Sequence, residues 1–192
     1  MRLRFLVSCA AATLVLLVPS ATLAADESGL SFTNVRTADA EIQSAISACY
    51  IHSQTCHRLI DEIESSSTVV YLTPGQCAVV RGGSCLRFIT ALPSARYLQI
   101  ILDRDLTGGQ LLTTAAHELQ HAVEVVRAPQ VVDRASFRRL YERIGIFIYG
   151  SAMREDFETQ EAQRIASVVS KEVRRSLRAD PLAFREARIG KE

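Results

Sequence analysis

The segment Thr114-Ala115-Ala116-His117-Glu118-Leu119-Gln120-His121-Ala122-Val123 carries the residue types and the spacing of metal chemistry. Residues four apart on a helix stand one above the other on the same face, so His117 and His121 would aim two imidazole nitrogens at one point. Glu118 is rotated to the flank of that point, where a carboxylate can hold a water molecule. Neutral nitrogen ligands, an open coordination position and a neighbouring base are what hydrolytic zinc chemistry needs. His-Glu-x-x-His on a helix is its short signature. The competing reading is a solvated helix face that carries two histidines by chance.

Two histidines do not complete such a site. A third protein ligand is required, with one position left for water. No histidine follows His121, which leaves a carboxylate. The last long helical pattern runs from about Arg154 to Arg178, and its apolar stripe is Ala162, Ile165, Ala166, Val169 and Val173. Glu158 falls in phase with that stripe. An acid directed into a core is costly unless something satisfies it, and a metal ion would. Glu161 lies about 90° off the stripe by helix geometry and is the reserve candidate. Asp156 is further out of phase, and Glu155 sits at the helix start, where the macrodipole accounts for it. Glu124 shares the face of the two histidines; it reads either as an acceptor for a ligand N–H or as a solvated acid.

These residues need elements to hold them. The motif helix starts near Thr107-Gly108-Gly109 and is bounded by Pro129. Leu112, Ala115, Ala116, Leu119, Ala122, Val123 and Val126 give it a core face. Upstream, helical spacing is expected from Ala38 to about Cys49 and again from Cys56 to Glu64. A β-region follows. Residues 69–72 form one strand, closed by Pro74-Gly75, and residues 78–80 and 86–89 form a hairpin about Gly82-Gly83. Residues 96–102 make the clearest strand, ended by Asp103. Its edge could serve as a cleft wall for an extended peptide, although a plain core strand explains it equally. Downstream, Asp133 is a good N-cap for a helix bearing Phe137, Leu140, Tyr141 and Ile144, and Gly145 ends it. The predicted fold is α+β, with a small, mainly antiparallel sheet packed on the motif helix and further C-terminal helices.

The N-terminus reads as a secretory signal. Arg2 and Arg4 precede an apolar run from Phe5 to Val18, and Thr22-Leu23-Ala24 offers small residues at the cleavage-determining positions. Residues 1–24 read as a signal peptide, residues 25–180 as a single domain and residues 181–192 as a charged tail. A lipobox-like Leu6-Val7-Ser8-Cys9 is the weaker reading, because most of the apolar run follows Cys9. No second long apolar segment appears, so no transmembrane segment is expected after cleavage, and the destination is periplasmic or secreted. Of the five cysteines, Cys9 leaves with the signal. Cys49, Cys56, Cys77 and Cys85 remain, an even set in an exported chain that predicts disulfides. Proximity in sequence favours Cys49–Cys56 and Cys77–Cys85, the latter across the glycine turn. A second metal site using these cysteines with His52 or His57 is the alternative, though no Cys-x-x-Cys pair supports it. The net charge of +1 gives no electrostatic case for nucleic acid or an anionic membrane surface.

The constellation His117, Glu118, His121 and a downstream Glu158 resembles the zincin metallopeptidases, in particular their gluzincin branch. The stretch from Gly108 to Glu124 also looks like a group of small exported bacterial proteins that carry a Phe-[Glu/Asp]-Thr segment where Phe157-Glu158-Thr159 stands here. The interval from His121 to Glu158 is longer than in the best-known gluzincins, and no later histidine is present to stabilise an oxyanion. The resemblance implies that His117, His121 and Glu158 bind Zn2+, that Glu118 is the general base and that the substrate is a peptide or protein. Tyr141, Tyr149 and Arg154 are the candidates for a hydrogen-bonding or positive group at the oxyanion. Two further readings stay open: an inactive zinc-binding domain that recognises a cell-envelope partner, and a disulfide-stabilised binding domain without metal.

Overall fold

The computed structural model describes residues 30–77, 83–147 and 157–179. The expected signal segment with Cys9, the strand over 78–80, Tyr149, Arg154, Glu155, Asp156 and the tail 181–192 lie outside the described residues.

A short strand, β1 (Val35–Arg36), leads into helix α1 (Ala40–His52). Asp39 caps α1, its carboxylate accepting from the amides of Glu41 and Ile42 at 3.0 Å each. Ser53 separates α1 from α2 (Gln54–Glu64) and caps the second helix, its hydroxyl accepting from Cys56 N at 3.0 Å. The Cys49–Cys56 disulfide ties the two helices across this corner. The last helix, α5 (Gln160–Ala179), closes on the same corner. There Glu172 accepts from Ser53 Oγ at 2.6 Å and from Thr55 N and Thr55 Oγ1 at 3.0 Å each.

The sheet has the order β1-β2-β4-β3. Strand β2 (Thr68–Gly75) runs parallel to both β1 and β4 (Ala95–Asp103), while β3 (Ser84–Leu92) runs antiparallel to β4. The sheet is therefore mixed, not mainly antiparallel. Among the described residues its hairpin joins β3 to β4 through Pro93 and Ser94, both turn-forming residues. The reason lies in β4. Leu98, Ile100, Ile101 and Leu102 are all buried, the near-continuous apolar run of a strand covered on both faces, and such a strand belongs in the middle of a sheet. Strand β2 also continues past Pro74. Because β1 covers only Val70 and Tyr71, the far half of β2 has an open side where a residue without an amide hydrogen costs no ladder bond.

Helix α3 (Gly108–Val126) passes between strands β3 and β4 and helices α1, α2 and α5. Its expected core face is buried except for the partly buried Val126, and Leu111, Gln120 and Val125 are buried as well, as befits a helix enclosed nearly all round. Its C-terminal carbonyls are closed by Arg96, whose guanidinium donates to Val125 O at 2.8 Å, Ala128 O at 3.0 Å and Val126 O at 3.3 Å. After it, α4 (Arg134–Ile144) starts on a capping box between Asp133 and Ser136. Strand β5 (Ile146–Phe147) then pairs antiparallel with β6 (Phe157–Glu158), immediately before α5.

The architecture is α+β. Both cysteine pairs are disulfides, Cys49–Cys56 and Cys77–Cys85, which fits an oxidising compartment and excludes a second metal site built from these thiols. The second bridge joins the start of β3 to the chain just past β2. Cys85 faces Ile101 of β4, and Cys77 reaches it from beyond the end of β2, so the bridge clips together two strands that are not neighbours. No helix among the described residues is long and apolar enough to cross a membrane.

Candidate metal centre

His117 and His121 lie on α3, one turn apart, with ring centroids 4.9 Å apart and planes nearly perpendicular. Both rings turn toward Glu158. His117 Nε2 is 3.2 Å from Glu158 Oε2, and His121 Nε2 is 3.4 Å from Glu158 Oε1. One ligand atom from each of the three residues lies within 4.8 Å of the others. Two ligands that share a tetrahedral ion at about 2.0–2.1 Å stand about 3.3 Å from each other, a spacing that the two His–Glu158 distances match. The donor set, two imidazole nitrogens and a carboxylate, fits a zinc-like divalent cation.

Glu158 reaches this point by a route that differs from the expected one. It is not on the helix. It lies in β6, paired with Ile146, and α5 begins only at Gln160. The cause is Thr159, whose hydroxyl accepts from Ala162 N at 3.1 Å and caps the helix, stopping it one residue short of Glu158. The apolar stripe of α5 is buried at Ala162, Ile165, Val169 and Val173. Glu161, the reserve candidate, points elsewhere and pairs with Arg164 at 2.6 Å on the exposed surface.

Glu124 is an orienting acceptor, not a solvated acid. Its Oε2 takes a hydrogen bond from His121 Nδ1 at 2.9 Å, which leaves Nε2 to face Glu158. Its Oε1 accepts from Thr159 Oγ1 at 2.7 Å. Thr159 N in turn donates to Glu158 Oε1 at 2.7 Å. Thr159 thus holds the helix start, the ligand and the ligand's orienting acid together. The sequence offered one pointer to it: a threonine immediately before a helical apolar stripe is an N-cap candidate.

The electrostatics follow from this packing. Burial pulls the His121 imidazole down, but hydrogen bonds to Glu124 and Glu158 outweigh it and the group is pushed up to about 10. Burial likewise pushes the Glu158 carboxyl up, yet hydrogen bonds from His117 and His121 prevail and hold it at about 2. The pocket favours positive charge between the imidazoles and the carboxylate, whether as a proton or as a metal ion.

Glu118 is buried, with 4% of its surface exposed. Burial raises its carboxyl above the usual range against the opposing pull of His121 and Ser84. Its Oε1 accepts from Ser84 Oγ at 2.5 Å, whereas Oε2 is buried with no hydrogen-bond partner among the described residues. An acceptor left this way calls for a donor that the described residues do not supply. Ser84 had no local signal in the sequence, being 34 positions away from Glu118.

The other expected contributors are placed differently. Tyr141 is buried and donates to the His121 carbonyl at 2.9 Å, so its phenol braces α3 beside the centre. Burial and the neighbouring Glu124 carboxylate keep it protonated by raising its pKa well above the usual value. His52 contacts Ser176 and His57 contacts Asp61, both away from the centre. Strand β4 is paired on both sides, so it cannot be a cleft edge; among the described residues the unpaired edge on this side of the sheet belongs to β3. No family model, no curated protein and no solved structure matches this chain.

Proposed function

We propose that the chain is an exported zinc metallopeptidase of the zincin kind, with His117, His121 and Glu158 as metal ligands and Glu118 as general base. The observation that carries this reading is the convergence of the three ligand side chains beside a buried carboxylate with one unpartnered oxygen. Zinc in such a site lowers the pKa of water and polarises a carbonyl. Glu118 Oε2 is the acceptor for a water proton and later returns that proton to the leaving amine. Glu124 and Thr159 keep His121 and Glu158 aimed. The edge of β3, unpaired among the described residues and beginning at Ser84 beside Glu118, offers backbone groups along which an extended peptide can lie. The signal-like N-terminus and the two disulfides support action in the periplasm or outside the cell.

A second reading is a zinc-binding domain without turnover that recognises an envelope partner. It is favoured by the depth at which Glu118 is buried and by the engagement of Tyr141 with the α3 backbone. Digestion of a peptide library by wild type and by Glu118→Gln separates the two. Cleavage by wild type that Glu118→Gln abolishes is the expected result. Equal cleavage by both proteins, or none by either, would overturn the peptidase reading.

A further inference from the structure

We propose that Ser84 is a positioning residue for Glu118, and that the Cys77–Cys85 disulfide holds Ser84 at its post. The role assigned to Glu118 rests on the peptidase reading above; the geometric claim does not.

Glu118 is a long side chain on an enclosed helix, and among the described residues the one hydrogen bond to its carboxylate comes from Ser84. Its hydroxyl donates to Oε1 at 2.5 Å and leaves Oε2 as the free acceptor. A serine on a mobile loop would perform this poorly, because a hydroxyl that swings away loses the bond. Ser84 is not so placed. It is the first residue of β3, its Cα paired with Leu102 of the central strand, and Asp103 N donates to the carbonyl of Gly83 at 3.2 Å. The next residue, Cys85, is bonded to buried Cys77 beyond the end of β2, with the two Cα atoms 6.0 Å apart. Strand pairing fixes the register of Ser84, and the disulfide keeps this outer strand from peeling away at the end where it meets α3. A group held within tenths of an ångström by its own supports is the condition for a preorganised site. The disulfide thus serves the motif helix besides fastening the sheet.

The test uses purified zinc-loaded protein labelled with 13C at glutamate carboxyl carbons, the Glu118 resonance being assigned by its loss in Glu118→Gln. Ser84→Ala is expected to shift or broaden that resonance, to keep the wild-type zinc content, and to lower kcat about 10–100-fold with KM little changed. Ser84→Thr retains the hydroxyl and is expected to restore both the resonance and kcat. The double variant Cys77→Ser/Cys85→Ser is expected to reproduce the Ser84→Ala resonance. An unmoved Glu118 signal in Ser84→Ala, loss of zinc in that variant, or no recovery with threonine would overturn the role of Ser84. An unmoved signal in the double cysteine variant would overturn the role of the disulfide. A wild type that cleaves no peptide would end the peptidase reading while the resonance comparison still decides whether Ser84 positions Glu118.

Discussion

Thr159 Oγ1 donates to Glu124 Oε1 at 2.7 Å, joining the start of α5 to α3 across 35 positions of sequence. The other oxygen of Glu124 holds His121 Nδ1 at 2.9 Å, and the amide of Thr159 holds Glu158 at 2.7 Å. One acid and one threonine therefore set the relative position of two candidate ligands that come from different elements. The helix cap and the orientation of the site are a single structure, so neither can shift without the other.

Truncation of Glu124 is expected to release the His121 ring and strand the Thr159 hydroxyl. Glu124→Ala should weaken zinc binding about 10–100-fold, the usual effect of removing a group that orients a metal ligand. Isothermal titration with zinc measures it. Thr159→Val should weaken binding less, and the double variant should fall short of the sum of the two, because both act through one contact. Fully additive losses would show that the two residues are independent.

The two downstream glutamates should behave oppositely. Glu158→Ala removes a ligand within 3.2 Å of His117 and 3.4 Å of His121 and is expected to lose zinc. Glu161→Ala breaks only an exposed pair with Arg164, a contact worth little, and should keep both zinc and stability. Metal content by mass spectrometry after dialysis against metal-free buffer decides between them. Retention of zinc by Glu158→Ala would remove it from the ligand set.

The site was legible where its logic is local. His117 and His121 share a face because of their spacing, and no partner is needed to see it. Glu158 was identified through its phase with the stripe of α5, yet the helix never reaches it: a cap at Thr159 outweighs periodicity at a helix end, where propensity is weakest. Sheet order was less legible. The run of Ile100, Ile101 and Leu102 carries the mark of a strand covered on both faces, but a run of this kind does not say which strands flank it or in which direction they run. Ser84 was invisible, because a contact between a strand end and a helix 34 positions on depends on the closed fold and on no pattern near either residue.

Away from the site, acid should loosen the corner where α1, α2 and α5 meet. Partial burial raises the Glu172 carboxyl, but hydrogen bonds from Ser53 and Thr55 outweigh this and leave it below its ordinary value of 4.5. A group whose folded pKa is depressed adds stability that is present above 4.5 and is lost as pH falls through the lower folded value. Glu172→Gln should therefore cost about 1 kcal/mol at pH 7, since the pair is partly exposed, and the difference from wild type should shrink toward pH 3. Urea melts at the two pH values measure this. A deficit that stays constant with pH would mean that the carboxylate charge is not what Ser53 and Thr55 recognise.

Removal of metal should lower stability without unfolding the chain. In the arrangement seen here Glu158 itself satisfies both imidazoles, and Glu124 satisfies the far side of His121, so the ligand cluster does not depend on an ion to avoid buried, unpaired charge. The core is also closed independently by two disulfides and by the burial of α3. Chelation is thus expected to leave the far-ultraviolet circular dichroism unchanged. Zinc at about a thousand times its Kd adds about 4 kcal/mol to the folded state, and for a chain of this size that corresponds to about 8–16 °C in Tm. The shift should vanish in His117→Ala, which keeps the fold but lacks a ligand. A wild-type Tm indifferent to zinc, or an equal shift in His117→Ala, would mean that the ion binds elsewhere or not at all.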